Sequence, residues 1–311
     1  MKSTRSLTEG ALLAAIYAVL LLLVMTVPLL GTLAMVLLPV PFVVYVVRHG
    51  LQKALIFSLI TILLTWLIAT ITSLPLTFLF GSAGLVMGHL YWKKSEAFTV
   101  LVGASLAFIT VLTIVYIGSS FFFGFNIGEE TRIMTEESFK TAENILTALG
   151  QEPDSEQMQR ALESIKLIEL LIPTAIILFG VVMAAISQAV SSKIMKRLGY
   201  QPAHLPPFRD WCFPRSIIWY YLAVTILMMV GLDNGSILYL ATINVFAIIE
   251  VILAIQGFSF IFYYFYRKGT SKAVPVLVVL LSFFLPFIGL YIVRIIGIID
   301  LGFDLRKRLT P

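Results

Sequence analysis

The chain has 311 residues, of which 59% are hydrophobic and only 13% are charged, whereas soluble globular domains carry about 25% charged residues. This balance excludes a soluble globular protein and predicts an integral membrane protein. The net charge of +5 comes from small basic groups beside apolar runs, a pattern typical of membrane topology rather than of nucleic-acid binding.

Apolar runs of about 20 residues, the length that crosses a bilayer as a helix, recur along the chain. We place eight of them near residues 8–28, 33–47, 54–73, 75–91, 98–121, 166–192, 216–232 and 236–265. The second run is short and contains Pro39 and Pro41, so we expect it to be broken or packed inside the bundle, where neighbouring groups satisfy its backbone. The sequence therefore predicts an all-α, polytopic helical membrane bundle.

The first span carries a stripe of small residues. In its sequence LTEGALLAAIYAV, residues Gly10, Ala11, Ala14, Ala15 and Ala18 are spaced three or four apart, and residues at those spacings are neighbours on a helix surface. Membrane helices associate through close packing of small residues. The stripe is therefore a candidate docking surface, for a helix of this chain or of a partner.

A large polar insertion, residues 122–166, follows the fifth span and carries nine acidic and four basic residues. Apolar residues recur at helical spacing between Phe139 and Leu149, and Asp154 and Gln157 have the spacing of a capping box that starts a second helix. The pattern predicts an acidic helical hairpin. It acts either as a lid or partner-docking element, or as a solvated helix pair packed on the bundle.

The C-terminal part begins with a loop at residues 199–215, GYQPAHLPPFRDWCFPR, whose prolines and aromatic residues suit contact with lipid headgroups or a soluble partner. Residues 274–305 form either one long helix or two short helices that turn at residues 285–289, LPFIG. Only the two-helix arrangement returns the basic residues 306–308 to the cytoplasm. We therefore expect a short-helix hairpin after the eight long spans.

Lys and Arg remain on the cytoplasmic side of membrane helices, and this rule sets the orientation. With the N-terminus inside, 17 of the 22 basic residues lie at cytoplasmic ends, four lie in the polar insertion, and Arg294 lies in an apolar run. The sequence predicts a multi-pass cell-membrane protein with both termini cytoplasmic and residues 122–166 extracytoplasmic. Its predicted domains are membrane helices 1–121, the external hairpin 122–166 and the C-terminal membrane part 167–311.

Polar and ionisable residues inside the last apolar runs form a second candidate site. Glu250 lies near the middle of a long apolar run, and Asn244, Arg294 and Asp300 also lie in apolar segments. A charge at this depth is costly unless it is paired, protonated or hydrated. The four residues line a polar cavity for a small solute or protons, or Glu250 and Arg294 form a structural ion pair.

Motifs for catalysis are absent from the sequence. It contains no GxxxxGK[ST] phosphate-binding loop, and its three histidines and single cysteine, Cys212, form no HExxH or Cys/His cluster for a metal. We predict that the chain is not an enzyme and that it carries no catalytic residues, no metal and no cofactor.

Residues 7–121 resemble the substrate-binding S components of energy-coupling-factor (ECF) vitamin transporters. The likeness rests on the Ala11-x-x-x-Ala15 motif of the first helix, on LLPVPFVVYVV and RHGLQKALIFSLI, and on GSAGLVMGHLYWKK. Where such proteins tend to have Gly-Pro before the third helix, this chain has Arg48-His49-Gly50. The resemblance implies a substrate-binding subunit whose Ala11 and Ala15 dock on a transmembrane coupling subunit, which works with separate ATPases.

Over its whole length the chain resembles the YybS-type membrane proteins, including the C-terminal sequence GIIDLGFDLRKR. The acidic insertion and the residues after Lys193 have no counterpart in the six-helix S components. Two hypotheses follow. The chain is a subunit for transport of an unknown small solute, or it is a membrane scaffold for cell-envelope or sporulation assemblies.

Overall fold

The computed structural model describes residues 2–124, 127–148, 168–233 and 235–308, and the regular structure within these ranges is helical. The α-helices in chain order are α1 Lys2–Thr26, α2 Pro28–Met35, α3 Val40–His49, α4 Leu51–Ala69, α5 Leu74–Trp92, α6 Ala97–Phe123, α7 Ile127–Ala148, α8 Ile172–Arg197, α9 Ser216–Met229, α10 Ile237–Arg267, α11 Ala273–Phe284, α12 Pro286–Phe303 and α13 Leu305–Arg308. Short 3₁₀ turns occur at Ile71–Ser73 and Phe208–Asp210. The predicted all-α membrane bundle is confirmed.

Eight helical segments within the described ranges are long and apolar enough to cross a membrane, and seven of them overlap predicted spans, whereas the eighth does not. Helix α9 was expected to reach residue 232 and ends at Met229 after 14 residues, shortly before Gly231 with its positive φ of 76°. Helix α12, expected to be a short limb, has 18 residues and qualifies by length and composition.

The predicted break in the second span is present. Helix α2 ends at Met35 and α3 starts at Val40, directly after Pro39. Proline lacks an N–H group and its ring clashes inside a helix, so the two prolines favour a new helix start rather than a continuous span. Residues 40–46 of α3 are all buried, as expected for a broken segment packed inside the bundle.

The chain divides into two compact units, the first comprising Met1–Glu130 and Ala175–Leu205. Its core is aromatic: Phe42 of α3 makes edge-to-face contacts with Tyr17 of α1 and Phe57 of α4, each with ring centroids 5.3 Å apart. The Tyr17 hydroxyl donates to Thr77 Oγ1 over 2.8 Å, so this buried polar group is satisfied. Aromatic pairs of this geometry add to the burial of apolar surface that holds α1, α3 and α4 together.

Glycines of α5 let α3 lie close against it. A Cβ atom at Gly84 would lie 2.6 Å from the Pro39 carbonyl oxygen, and one at Gly88 would lie 2.7 Å from Val46 Cβ. Close approach through small residues is the usual way in which membrane helices gain contact, since lipid offers no hydrophobic driving force for association. The glycines of the segment GSAGLVMGHLYW therefore form the face of α5 that packs against the broken span.

The second unit comprises Thr131–Thr174 and Pro206–Pro311 and is built around α10. Helix α12 crosses α10 where Gly257 meets the Val293 carbonyl and Gly297 meets the Leu253 carbonyl. Helices α11 and α12 are separate, as the two-helix prediction requires, and they pack together at Ser282 and Gly289.

Two further predictions concern the helical hairpin of the polar insertion and the C-terminal domain boundary. Helix α7 is the first arm of the expected external hairpin, whereas the second arm, expected from Asp154, lies outside the described residues. The predicted boundary that assigned all of 167–311 to one domain differs from the observed division, because Ala175–Leu205 belongs to the first unit. The apolar pattern of α8 gives no indication of which helices it contacts.

Candidate functional site

The four predicted polar residues do not form one cavity in the part of the chain that the structure describes. Positions 244 and 250 on α10 are six residues apart, which rotates the second by about 240° around the helix relative to the first. Gln256, six residues further, is rotated by the same amount again. The side chains of residues 244, 250 and 256 therefore make three separate contacts. One of these contacts joins two of the four predicted residues.

Glu250 and Arg294 are the two that come together. Arg294 Nη1 of α12 pairs with Glu250 Oε1 of α10, and the side chains are 25% and 28% exposed respectively. Arg294 also lies 6.0 Å from the Tyr291 ring centroid, measured from its guanidinium carbon. The arrangement is an ion pair between neighbouring helices rather than an open carboxylate.

Asn244 lies in a separate contact near the start of α8. Its Oδ1 accepts from the Thr174 backbone N–H over 3.0 Å and from the Thr174 hydroxyl over 2.7 Å. Its Nδ2 donates to the carbonyl oxygens of Leu170 and Leu240, both over 2.8 Å. All of these groups belong to the second unit. Asn244 thus satisfies the unpaired backbone groups at a helix N-terminus, a structural role.

Asp300 is the centre of a buried polar network. It is 3% exposed, and its Oδ2 accepts from Gln256 Nε2 over 2.5 Å and from Arg306 Nε over 3.0 Å. Arg306 also donates from Nη2 to Ser259 Oγ over 3.0 Å. A buried carboxylate is tolerable in this environment because a guanidinium and an amide neutralise and solvate it.

The same network holds the proline-rich loop on α10. Ser259 Oγ lies 2.7 Å from the Trp211 carbonyl oxygen, and Arg306 Nη1 donates to the Arg209 carbonyl over 3.0 Å. The Phe213 N–H donates to Gln256 Oε1 over 2.9 Å. Asp300 and Arg306 of GIIDLGFDLRKR therefore fix the loop and the C-terminal helix to α10.

The stripe on α1 divides into two faces. Gly10 and Ala14 point into the first unit: a Cβ at Gly10 would lie 3.1 Å from Tyr45 Cε2, and Ala14 is 4% exposed. Ala11 and Ala15 are exposed and Ala18 is half-buried, on a face rotated by about 100° from the first. The inner face is internal packing, and the outer face exposes Ala11 and Ala15 and leaves Ala18 partly covered.

The Arg48-His49-Gly50 turn, a departure from the S-component pattern, anchors the start of α1. Glu9 Oε2 lies 2.8 Å from His49 Nε2 and 3.4 Å from Arg48 Nη1. Gly50 follows with a φ of 82°, a conformation that other residues rarely adopt and that allows α4 to begin at once. The turn therefore fixes α1 to the end of α3.

A cleft on the first unit lies where α8 ends. It encloses about 590 Å³ and is lined by Gln188, Ala189, Ser192, Lys193, Lys196, Tyr200, Gln201, Pro202, His204 and Leu205. Gln188 is 1% exposed, and its Nε2 donates to the Ala97 carbonyl over 2.8 Å. This hydrogen bond places the inner wall of the cleft beside the first turn of α6.

Unsatisfied polar atoms concentrate in this part of the unit. Across the described residues, four buried side-chain polar atoms lack a hydrogen-bond partner: the Tyr91 hydroxyl, Ser187 Oγ, Gln188 Oε1 and Ser191 Oγ. Three of them are on consecutive turns of α8. Buried polar atoms are nearly always hydrogen-bonded, so such a concentration requires a physical explanation. Gln188 Oε1 is the member that belongs to a residue of the cleft wall.

A comparison with protein families matches residues 15–301 to the family described as "Predicted membrane protein (DUF2232)". The chain belongs to this family. It is also 31% identical to the uncharacterized protein YybS of Bacillus subtilis (strain 168) over 309 residues, which covers 99% of both chains. No solved structure matches the chain. The resemblance to YybS-type membrane proteins is thus confirmed, and the chain is an integral membrane protein.

The cleft of this DUF2232 protein was not predicted from the sequence. Its residues come from SQAVSSKIMK and from the loop before the Pro206-Pro207 pair, and both segments look like the polar boundary that ends most membrane helices. A sequence signal did exist, because Gln188 and Ser192 are four residues apart and Lys196 follows at the same interval. The described residues contain no group of three or more His, Cys, Asp or Glu side chains placed to hold a metal.

Proposed function

We propose that the chain is a membrane-embedded, solute-binding subunit that works with separate energising subunits. The observation that carries this proposal is the cleft at the end of α8, with the buried and unpartnered Gln188 Oε1 in its wall. Clefts of about 300–1,000 Å³ with a few convergent polar groups are typical of small-molecule sites. The volume of about 590 Å³ falls within this range.

The outer face of α1 supplies a surface for the energising partner. Ala11 and Ala15 are exposed between Leu7, which is 71% exposed, and Leu22, which is 41% exposed. A partner helix approaches more closely at such a depression than over a continuous row of leucines. The resemblance to S components supports, as the proposed partner, an ECF-type transmembrane coupling subunit with its ATPases, and the absence of a phosphate-binding loop in this sequence fits an external energy source.

The test is to purify the protein from its native membrane and to identify the proteins and small molecules that accompany it. Ala15→Leu should leave the fold intact, because the residue is exposed, and it should remove a coupling subunit and its ATPases from the preparation. Leu12→Ala, a change at a neighbouring position that is 62% exposed, is the matched control and should retain them.

The corresponding change at Ala14 controls for internal packing. Ala14 is buried, so Ala14→Leu should lower the melting temperature whether or not a partner exists, through overpacking. If Ala15→Leu unfolds the protein as Ala14→Leu does, the outer face is not a docking surface. If neither wild type nor Leu12→Ala carries an ATPase pair, the coupled-transport proposal is wrong.

A scaffold is the second candidate, and helix α7 is the observation that favours it. Its Met134 and Ile145 are 67% and 56% exposed, although the helix also carries Glu129, Glu130 and Glu137. An acidic helix with exposed apolar residues suits a protein partner in the cell envelope. Recovery of envelope proteins without ATPases in the same purification would support this candidate.

A further inference from the structure

We infer that the cleft at the end of α8 binds a phosphate-bearing anion that also presents a hydroxyl group. The inference rests on the proposed function, since it names the ligand class of the same cleft. It combines two independent features of the cleft wall, the charge of its lysines and the unmet acceptor of Gln188.

The charge of the cleft has one sign. Lys193 and Lys196 line it and are exposed, and no Asp or Glu is among the lining residues. Within the described part of the chain, neither lysine has a hydrogen bond or ion pair. Two uncompensated ammonium groups at one opening attract an anion, and lysine binds phosphate as a point charge.

Lysines at a helix C-terminus are also expected without any ligand, because they interact favourably with the helix dipole and remain at the cytoplasmic interface. Gln188 provides the observation that neither effect explains. Its amide nitrogen is engaged with Ala97, so the amide orientation is fixed and Oε1 is held as an acceptor. An anion that carries no proton cannot satisfy it, whereas a ligand hydroxyl can donate to it.

The polar side chains of the cleft become steadily more exposed along α8. Gln188, Ser192 and Lys196 lie on one face at intervals of four residues, and exposure rises from 1% at Gln188 through 9% at Ser192 to an exposed Lys196. A ligand in the cleft therefore presents its hydroxyl at the inner end and its phosphate at the outer end. A glycerol phosphate group has this arrangement.

Glycerol phosphate has two sources, the headgroup of phosphatidylglycerol and free glycerol 3-phosphate. The experiment uses the purified full-length chain in nanodiscs of phosphatidylcholine, with and without phosphatidylglycerol. Glycerol 3-phosphate, inorganic phosphate and glycerol are titrated separately, and binding is followed by thermal shift and by native mass spectrometry.

Three variants test the assigned roles. Lys193→Gln combined with Lys196→Gln should weaken glycerol 3-phosphate binding by about tenfold or more, as the loss of charge-assisted contacts predicts. Gln188→Met keeps the shape of the side chain and removes the acceptor, so it should reduce the preference for glycerol 3-phosphate over inorganic phosphate. Lys53→Gln combined with Lys272→Gln removes two exposed charges elsewhere and should bind within about twofold of wild type.

The outcomes separate the inference from the proposed function. Saturable binding of free glycerol 3-phosphate, lost in the lysine pair and kept in the control, supports both. Retention of phosphatidylglycerol alone supports the ligand class and overturns the solute-binding function. Binding of no phosphate-bearing probe, or equal binding in the lysine pair and the control, overturns the inference. The search for co-purified solutes and ATPases then decides the proposed function separately.

Discussion

At the scale of single residues, the charges within the apolar helices are explained by their partners. Glu250 has Arg294, and Asp300 has Arg306 and Gln256. An ionised side chain near the centre of a membrane helix costs about 3 kcal/mol on the insertion scale, so an unpaired one must be functional, hydrated or neutral. Pairing removes that necessity for both carboxylates, and it favours a structural role for these residues over a solute cavity.

The Glu250–Arg294 pair can be tested by a double-mutant cycle. Glu250→Gln strands the Arg294 guanidinium and should destabilise the protein by about 3 kcal/mol, whereas Glu250→Gln combined with Arg294→Gln should recover part of that loss. Thermal melts in detergent of wild type, both single variants and the double variant measure the coupling. Unchanged melting in all four proteins would show that the pair contributes nothing to stability.

Asp300→Asn tests the buried network. The change removes the negative charge and leaves Arg306 without its counter-charge. The free energy of unfolding should fall by about 3 kcal/mol, because an uncompensated buried charge costs more than replacing the whole pair by apolar residues. The melting temperature should fall, and protease should cut more readily near Arg306. Asp210→Asn, which removes the exposed partner of a half-buried Arg209, is the control and should melt like wild type. Equal behaviour of the two variants would contradict the proposed role of the network.

At the scale of helices, close crossings are made by glycines that lack room for a methyl group. Gly257→Ala should destabilise the second unit by about 1–3 kcal/mol, because the new Cβ meets the Val293 backbone, which cannot rotate away as a side chain can. Gly302→Ala on α12 is the control, since its Cβ would be 3.7 Å from Ile218 Cδ1, an ordinary contact. If the melting temperatures of both variants fall equally, helix geometry rather than the crossing is responsible.

The sequence predicts helix positions better than helix contacts. Apolar length identifies most of the spans, and Pro39 and Pro41 predict the break because proline acts locally, whatever surrounds it. The end of α9 at Met229 was predicted three residues too late, because Val230 and Leu232 extend the apolar run past Gly231. Apolar periodicity distinguishes a helix face that meets water from a face that is buried. A helix surrounded by lipid therefore has little amphipathic pattern.

The side-chain contacts at the candidate sites were less predictable than the helix positions, because most of them join residues that are far apart in the sequence. Glu250 and Arg294 are 44 residues apart, and only their rarity in apolar segments suggested a pair. Asp300 was predicted to join them, but its partners Gln256 and Arg306 lie on other faces and turns. Gln188 was missed because a glutamine near a helix end looks like an interfacial residue, and its burial depends on the distant Ala97.

At the scale of the whole molecule, charge distribution and helix lengths bear on topology together. Of the 22 basic residues, 17 lie at ends that are cytoplasmic when the N-terminus is inside. Helices α11 and α12 have 12 and 18 residues, and a separate pair of this kind brings Arg306, Lys307 and Arg308 back to the side from which α11 begins. Orientation remains a prediction of the charge count.

Reporter fusions test this topology. A reporter fused after Pro311 should show cytoplasmic activity, and one inserted at Gly150 should show external activity, because the insertion around Gly150 carries nine of the acidic residues and only four basic ones. Moving the last helix to the opposite orientation would place three adjacent basic residues outside, against the rule that sets orientation. A C-terminal reporter that is active outside would therefore exclude a hairpin of α11 and α12, and an internal reporter at Gly150 would invert the orientation of the preceding five spans.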